Sequence, residues 1–180
     1  MDFSEKTVSS EVKFQGNIIK LRVDTVALPN GNTATREVVE HSGGVAVLPV
    51  DTEGLVYLVR QFRKPFDRTL LEAPAGKLSP GEEHRDCGMR ELQEETGFTA
   101  AKVDYLGYIL PTPGFANEVI HLYLARELTA GEQNPDEDEF VNVEKYTFAQ
   151  VTDMCLGGEI SDAKTVAAVM RAAAIINRGL

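Results

Sequence analysis

The strongest constraint on the fold is the stretch 76–98, GKLSPGEEHRDCGMRELQEETGF, in which residues 83–96 read as one charged helix set between strand-forming runs. Glu83 and Asp86 stand in its first turn, where the helix dipole favours acids, and Gly97 suits the left-handed position just past a helix end. Glu91, Glu94 and Glu95 follow the spacing i, i+3, i+4. Side chains at that spacing share one helix face, where like charges oppose one another. Three carboxylates there make chemical sense as oxygen donors to a hard divalent cation; the plain alternative is a solvated acidic face. Glu82 adds a fourth acid at the positive end of the helix, and Arg90 stands four residues from both Asp86 and Glu94. Gly88 lies inside the helix although glycine there is unfavourable by ~1 kcal/mol relative to alanine. Close packing on a sheet is the expected reason.

Around this helix the chain reads mostly as strands. Residues 8–41 are β-rich, with Asn30-Gly31 as a hairpin turn and a return strand over 33–39. The apolar run 45–50 predicts a strand buried on both faces, and 55–62 a second. Residues 65–81 read as a loop with a short strand at 70–72; strands follow near 102–110, 118–125 and 140–147. Residues 128–139 read as a polar, acidic loop. Ser161 is the expected cap of a last helix running to about Asn177, with Val166, Val169, Met170, Ala173 and Ile176 on its apolar stripe. This order predicts an α+β domain, a layered α/β/α sandwich, rather than a doubly wound parallel sheet.

Composition narrows the partners. A chain of 180 residues suits about one domain, and no apolar run approaches the ~20 residues of a membrane span. A net charge of −10 argues against a nucleic-acid partner and against a basic membrane-binding face. An anionic substrate is still compatible, because a bound divalent cation inverts the local field. Cys87 and Cys155 form no CxxC pair, and His41, His84 and His121 show no metal-ligand spacing. Reduced cysteines and no secretory leader at the N-terminus predict a cytoplasmic protein.

The stretch 76–98 resembles the Nudix box, G-x5-E-x7-R-E-U-x-E-E-x-G-U with U an aliphatic or large apolar residue. It does so at every fixed position: Gly76, Glu82, Arg90, Glu91, Leu92, Glu94, Glu95, Gly97 and Phe98. The resemblance implies a mixed sheet between helices and hydrolysis of a nucleoside diphosphate linked to another group. The rest of the chain is similar to the ADP-ribose (ADP-sugar) pyrophosphatase branch. Pro113, fifteen residues past Phe98, carries part of that likeness, as do 59–63 (VRQFR) and 71–76 (LEAPAG). The branch also has a β-rich N-terminal segment, here 1–41, through which it usually dimerises; 42–180 would be the Nudix domain.

Site residues follow from the resemblance. Glu91, Glu94, Glu95 and the Ala75 carbonyl would ligate Mg²⁺, with Mn²⁺ as a substitute, and Glu82 would act as an outer ligand. Arg90 would orient the glutamates. The general base would be Glu139, with Glu137 second, in the acidic segment Asp136-Glu137-Asp138-Glu139-Phe140; Glu94 is a further catalytic candidate. Five basic residues crowd 60–77: Arg60, Arg63, Lys64, Arg68 and Lys77. Of these Arg63 would approach the substrate, with Glu72 on the adenine or ribose side. Gly114, Phe115 and Glu118 would line the sugar pocket, and Arg36 would reach substrate from the second subunit of a homodimer. The implied reaction converts ADP-ribose to AMP and ribose 5-phosphate. The alternatives are a Nudix hydrolase for another nucleotide sugar and a non-catalytic ligand sensor, although sensors lose box glutamates and this box is intact.

Overall fold

The computed structural model describes residues 2–135 and 139–176. Two compact units emerge: residues up to Gly43 together with Leu110–Val119, and Gly44–Ile109 together with the chain from Ile120 onward.

The first unit is an antiparallel meander of β1 (Lys6–Gln15), β2 (Ile19–Ala27) and β3 (Thr33–His41). Gly31, at φ +87°, supplies the left-handed turn between β2 and β3. β1 is longer than its weak alternation suggested and is exposed along its whole length. The segment Leu110–Val119 fastens to β3, with Val39 N donating to Phe115 O (2.7 Å) and Asn117 N to Val39 O (3.1 Å).

The second unit contains β4 (Gly44–Pro49), β5 (Leu55–Arg63), β6 (Arg68–Glu72), β7 (Ala75–Lys77), α1 (His84–Thr96), β8 (Phe98–Ile109), β9 (Ile120–Ala130), β10 (Val141–Thr147), α2 (Phe148–Gly157) and α3 (Ala163–Ile176). One sheet has the order β7-β4-β9-β8 and is mixed, since β4 and β9 run parallel. A second, antiparallel, has the order β10-β5-β6. β4 is buried on both faces, as its unbroken apolar run predicts. Val45 and Val47 pack with Cys87 and Leu92 of α1. Ala46 and Leu48 face the opposite way, onto Ala168, Val169 and Ala172 of α3. The sheet therefore lies between helices, in an α+β sandwich. No described helix is long and apolar enough to cross a membrane.

Three local expectations are corrected. The helix α2 was not anticipated, although Thr147 and Gln150 form a capping box, with Gln150 N on Thr147 Oγ1 (3.2 Å) and Thr147 N on Gln150 Oε1 (2.8 Å). The last helix is capped by Asp162 rather than Ser161, with Thr165 N donating to Asp162 Oδ2 at 3.0 Å. Its fully buried positions are Thr165, Ala168, Val169 and Ala172; Val169 belongs to the expected stripe, Val166 and Met170 are partly buried against the same core, and Ile176 is exposed. Sequence periodicity marks an apolar face but not which of two adjacent ridges meets the sheet. Asn177, the expected end of α3, lies outside the described residues.

Gly88 has the packing role expected of it. A Cβ there would meet Val45 Cγ2 at 3.0 Å and Val47 Cγ2 at 3.1 Å. Both valines are stiff, buried and held in a central strand, so they yield little. Gly88→Ala should therefore lower stability by about 1–2 kcal/mol despite alanine's better helix propensity; a stabilised variant in urea unfolding would contradict this packing.

Across β5 and β10, Arg60 grips Glu144 with Nε on Oε1 (2.5 Å) and Nη2 on Oε2 (2.9 Å). The Arg60 guanidinium, helped by the Tyr146 hydroxyl, holds the Glu144 carboxyl down to about 2 from its ordinary 4.5. A depressed acid contributes stability above its unfolded pKa and loses it as pH falls toward the folded value. Glu144→Gln should accordingly flatten part of the stability decline between pH 4.5 and about 2. An unchanged acid limb in the variant would show that the pair contributes nothing.

Candidate active site

The box acids sit on α1, or for Glu82 just ahead of it; the helix start is marked by Glu83 and its end is closed by Gly97 at φ +76°. Arg90 gathers three of them. Its Nη1 lies 2.8 Å from Glu94 Oε2 and 2.8 Å from Glu91 Oε1, and its Nε donates to Glu82 Oε1 at 3.1 Å. The Asp86 alternative is not taken; Glu82, eight residues back, is drawn in because the turn before the helix folds toward it, with Ser79 N donating to Glu82 Oε2 (2.9 Å). Arg90 also pulls the Glu82 carboxyl below its usual range.

Glu91 and Glu95 are different: both are buried. Burial pushes the Glu95 carboxyl up to about 8, against the opposing hydrogen bond from Ala75 N, and the like charges of Glu139 and Glu91 push the same way. Burial likewise raises Glu91, with Glu94 and Glu139 adding to the effect. Glu95 Oε2 accepts from Ala75 N at 3.0 Å, while its buried Oε1 has no hydrogen-bond partner among the described residues. Gly76 makes room for the neighbour: a Cβ there would fall 1.8 Å from Glu91 Oε1. Two desolvated carboxylates, one with an orphaned oxygen, lie beside a backbone free of side-chain bulk. That donor set suits a hard divalent cation, which takes carboxylate and carbonyl oxygens and keeps several waters. Among the described residues no three acidic, imidazole or thiol groups form a ready-made cage.

Glu139 is half-buried, and its charge is felt at both Glu91 and Glu95. The loop leading toward it is tied to the end of α1 by Asn134 N on Glu94 O (3.0 Å) and by the Gln133 amide on Glu95 O. The alternative base Glu137 lies outside the described residues.

Arg63 and Glu72 are brought together. Arg63 Nε donates to Glu72 Oε1 (2.8 Å) and Nη2 to Oε2 (2.7 Å), a bidentate fork. Glu72 is only 1% exposed and also accepts from Lys164, so this geometry leaves it no free edge for a base or ribose. It serves instead to hold Arg63, whose side chain remains 36% exposed. Of the other clustered basic residues, Arg60 is engaged by Glu144 and Lys64 by Asp67. Lys164, with its neighbours Asp162 and Thr165, was not singled out from sequence; only the capping pattern of S-D-A-K-T pointed to it.

The remaining candidates belong to the first unit. Arg36, on β3, is bound by Glu5, with Nε on Oε2 at 2.9 Å and Nη2 on Oε1 at 2.5 Å. Gly114 and Phe115 are exposed, in the segment that β3 holds. Glu118 Oε1 lies 3.5 Å from His41 Nδ1. Cys87 and Cys155 are free thiols; burial pushes Cys87 up to about 12, which keeps it protonated and inert.

Comparison with known proteins fits this geometry. Residues 40–169 match the NUDIX domain family, and residues 5–39 match the nucleoside diphosphate sugar hydrolase N-terminal domain. The chain belongs to the Nudix family and is a Nudix hydrolase. Within that family it is similar over nearly its whole length to proteins of the ADP-ribose (ADP-sugar) pyrophosphatase branch. It is 47% identical over 167 residues to the ADP-ribose pyrophosphatase of Bacillus subtilis (strain 168), covering 92% of this chain and 90% of that protein. It is 44% identical over 169 residues to the methanol dehydrogenase activator of Bacillus methanolicus, covering 93% and 91%. The fold matches the crystal structure of an ADP compounds hydrolase at a TM-score of 0.87 and 19% identity, covering 99% of this chain and 98% of that one.

Proposed function

We propose that this Nudix hydrolase cleaves the pyrophosphate bond of ADP-ribose to AMP and ribose 5-phosphate, with Mg²⁺ or, in its place, Mn²⁺. The observation that carries the reading is the buried Glu91–Glu95 pair, with Glu95 Oε1 left without a partner among the described residues. Glu91, Glu95 and the Ala75 carbonyl hold the ion, Glu94 contributes a further oxygen, and Glu82 acts on its outer waters. Bound there, a divalent cation neutralises the diphosphate and lowers the pKa of a coordinated water. Arg90 fixes the acids in place. Arg63, braced by Glu72, presents its exposed edge to the substrate's negative charge. Glu139 takes the proton from the attacking water, and its half-buried position beside the two glutamates supports that role.

By family likeness Arg36, Gly114, Phe115 and Glu118 are substrate contacts and the N-terminal meander is the interface of a homodimer, Arg36 exchanging Glu5 for the partner subunit's substrate. Exposed Val8 (64%), Val12 (50%), Phe14 (54%) and Ile18 (62%) support a covered face there. Another nucleotide sugar is the second reading, since the same metal and base chemistry serves any nucleoside diphosphate sugar.

Chromatography of the products is the test. ADP-ribose with Mg²⁺ should give AMP and ribose 5-phosphate, and chelator should stop the reaction. Glu139→Gln should lower kcat by about 10²–10⁴-fold, the usual contribution of a positioned base. Unchanged kcat in that variant would move the base role elsewhere.

A further inference from the structure

The proposed hydrolytic centre depends on a short segment, Glu72 to Gly76, that carries four of its parts: the brace for Arg63, the Ala75 carbonyl, the Ala75 N–H on Glu95, and the bare backbone beside Glu91. The far end of that segment is held by the first turn of α3. Thr165 is 0% exposed. Its hydroxyl donates to Asp162 Oδ2 at 2.5 Å and accepts from Ala73 N at 2.7 Å, so its one proton and one of its two lone pairs are used. Asp162 Oδ2 also receives Thr165 N (3.0 Å) and Lys164 Nζ (2.9 Å). From Ala73 the chain passes through Pro74, whose carbonyl accepts from Val47 N at 2.9 Å, and reaches Ala75, whose N–H meets Glu95 at 3.0 Å. The proline ring fixes one of the few torsions between the two anchor points.

We infer that Thr165 is a positioning residue for the metal-binding carboxylate Glu95, acting through the Ala73–Pro74–Ala75 backbone. This rests on the reading of Glu95 as a metal ligand given above. The hydroxyl satisfies a buried amide at Ala73 that would otherwise be left unpaired. Without it the segment relaxes, the Ala75 N–H moves off Glu95, and the carboxylate loses the contact that aims it. The effect falls on metal binding and on kcat, and leaves substrate affinity through Arg63 largely in place.

Thr165→Val keeps the shape and removes the hydroxyl; Thr165→Ser keeps the hydroxyl. Mn²⁺ binding to the substrate-free protein, followed by electron paramagnetic resonance, should be about 10-fold weaker in Thr165→Val, the scale of one lost hydrogen bond to a charged group. Its kcat for ADP-ribose should fall by a similar factor while KM stays within about 3-fold. Thr165→Ser should match wild type in all three. Should Thr165→Val fail to fold, Asp162→Asn takes its place and should weaken Mn²⁺ binding by about 3-fold, since one acceptor of the lock loses its charge. Mn²⁺ binding in Thr165→Val, or in Asp162→Asn if that stands in, indistinguishable from wild type would overturn the inference. A wild-type protein inert toward ADP-ribose would sink the proposed substrate, and the Mn²⁺ comparison would still decide the role of Thr165.

Discussion

Replacing Glu95 with Gln should reduce ADP-ribose hydrolysis by about 10³-fold or more while making the metal-free protein more stable. The first effect follows from losing a metal ligand, since charge stabilisation by the ion supplies several kcal/mol of the catalysis. The second follows from burial. Glu95 is 1% exposed, its Oε1 has no partner among the described residues, and Glu91 and Glu139 add like charge. A buried carboxylate without a compensating cation opposes folding. The amide keeps the shape and can still accept from Ala75 N, so the metal-free variant should gain about 1 kcal/mol. Added Mg²⁺ should raise the melting temperature of wild type and leave that of Glu95→Gln unmoved, because only a folded state that binds the ion is stabilised by it. Turnover at the wild-type rate would remove Glu95 from the metal site. Lower stability without metal would show that its burial is already compensated.

Gly76→Ala is expected to separate fold from function in a different way. The new Cβ would land 1.8 Å from Glu91 Oε1, and the obstacle is the tip of a flexible side chain rather than backbone. Glu91 can therefore swing aside. β7 keeps its pairing with β4 through Gly44–Lys77, Val45–Gly76 and Ala46–Ala75, and stability should change by no more than about 1 kcal/mol. The displaced carboxylate, however, no longer points at the ion. Misplacement on the ångström scale is worth about 10²-fold in rate, so kcat should fall by that order, with Mn²⁺ binding weakened in parallel. A Gly76→Ala protein with normal Mn²⁺ affinity would mean that Glu91 does not ligate, and an unfolded one that the glycine serves the backbone instead.

What the sequence revealed, and what it hid, divides along the range of the interactions. The helix α1, its Gly97 stop and the doubly buried strand β4 were legible because periodicity and turn chemistry are local. The acids at 91, 94 and 95 were legible as a shared face for the same reason. Their division of labour was not: Arg90 takes Glu94 and Glu82, while Glu95 goes into the interior, and that depends on where β7 passes. Glu72 was assigned to the substrate by family likeness alone; the fold buries it on β6 and turns it onto Arg63 of β5, a contact no local pattern announces. Thr165 carried no signal beyond the capping pattern S-D-A-K-T, since a threonine in the first turn of a helix is ordinary. Its partner is the amide of Ala73, 92 positions away in the chain. The helix α2 was missed although its capping box was written in the sequence, because the preceding strand pattern ran into it without a glycine or proline.

Substrate specificity and metal dependence meet in a single assay. The measurement that reaches both is hydrolysis of ADP-ribose against ADP-glucose, GDP-mannose, NADH and diadenosine tetraphosphate, each with Mg²⁺ and with chelator. ADP-ribose should give AMP with a kcat/KM at least about 10-fold above every other substrate, equivalent to ~1.4 kcal/mol of transition-state binding, and all turnover should cease with chelator. A higher kcat/KM for GDP-mannose or another member of the set would contradict the substrate assignment, and turnover that survives chelation would contradict the metal site at Glu91 and Glu95.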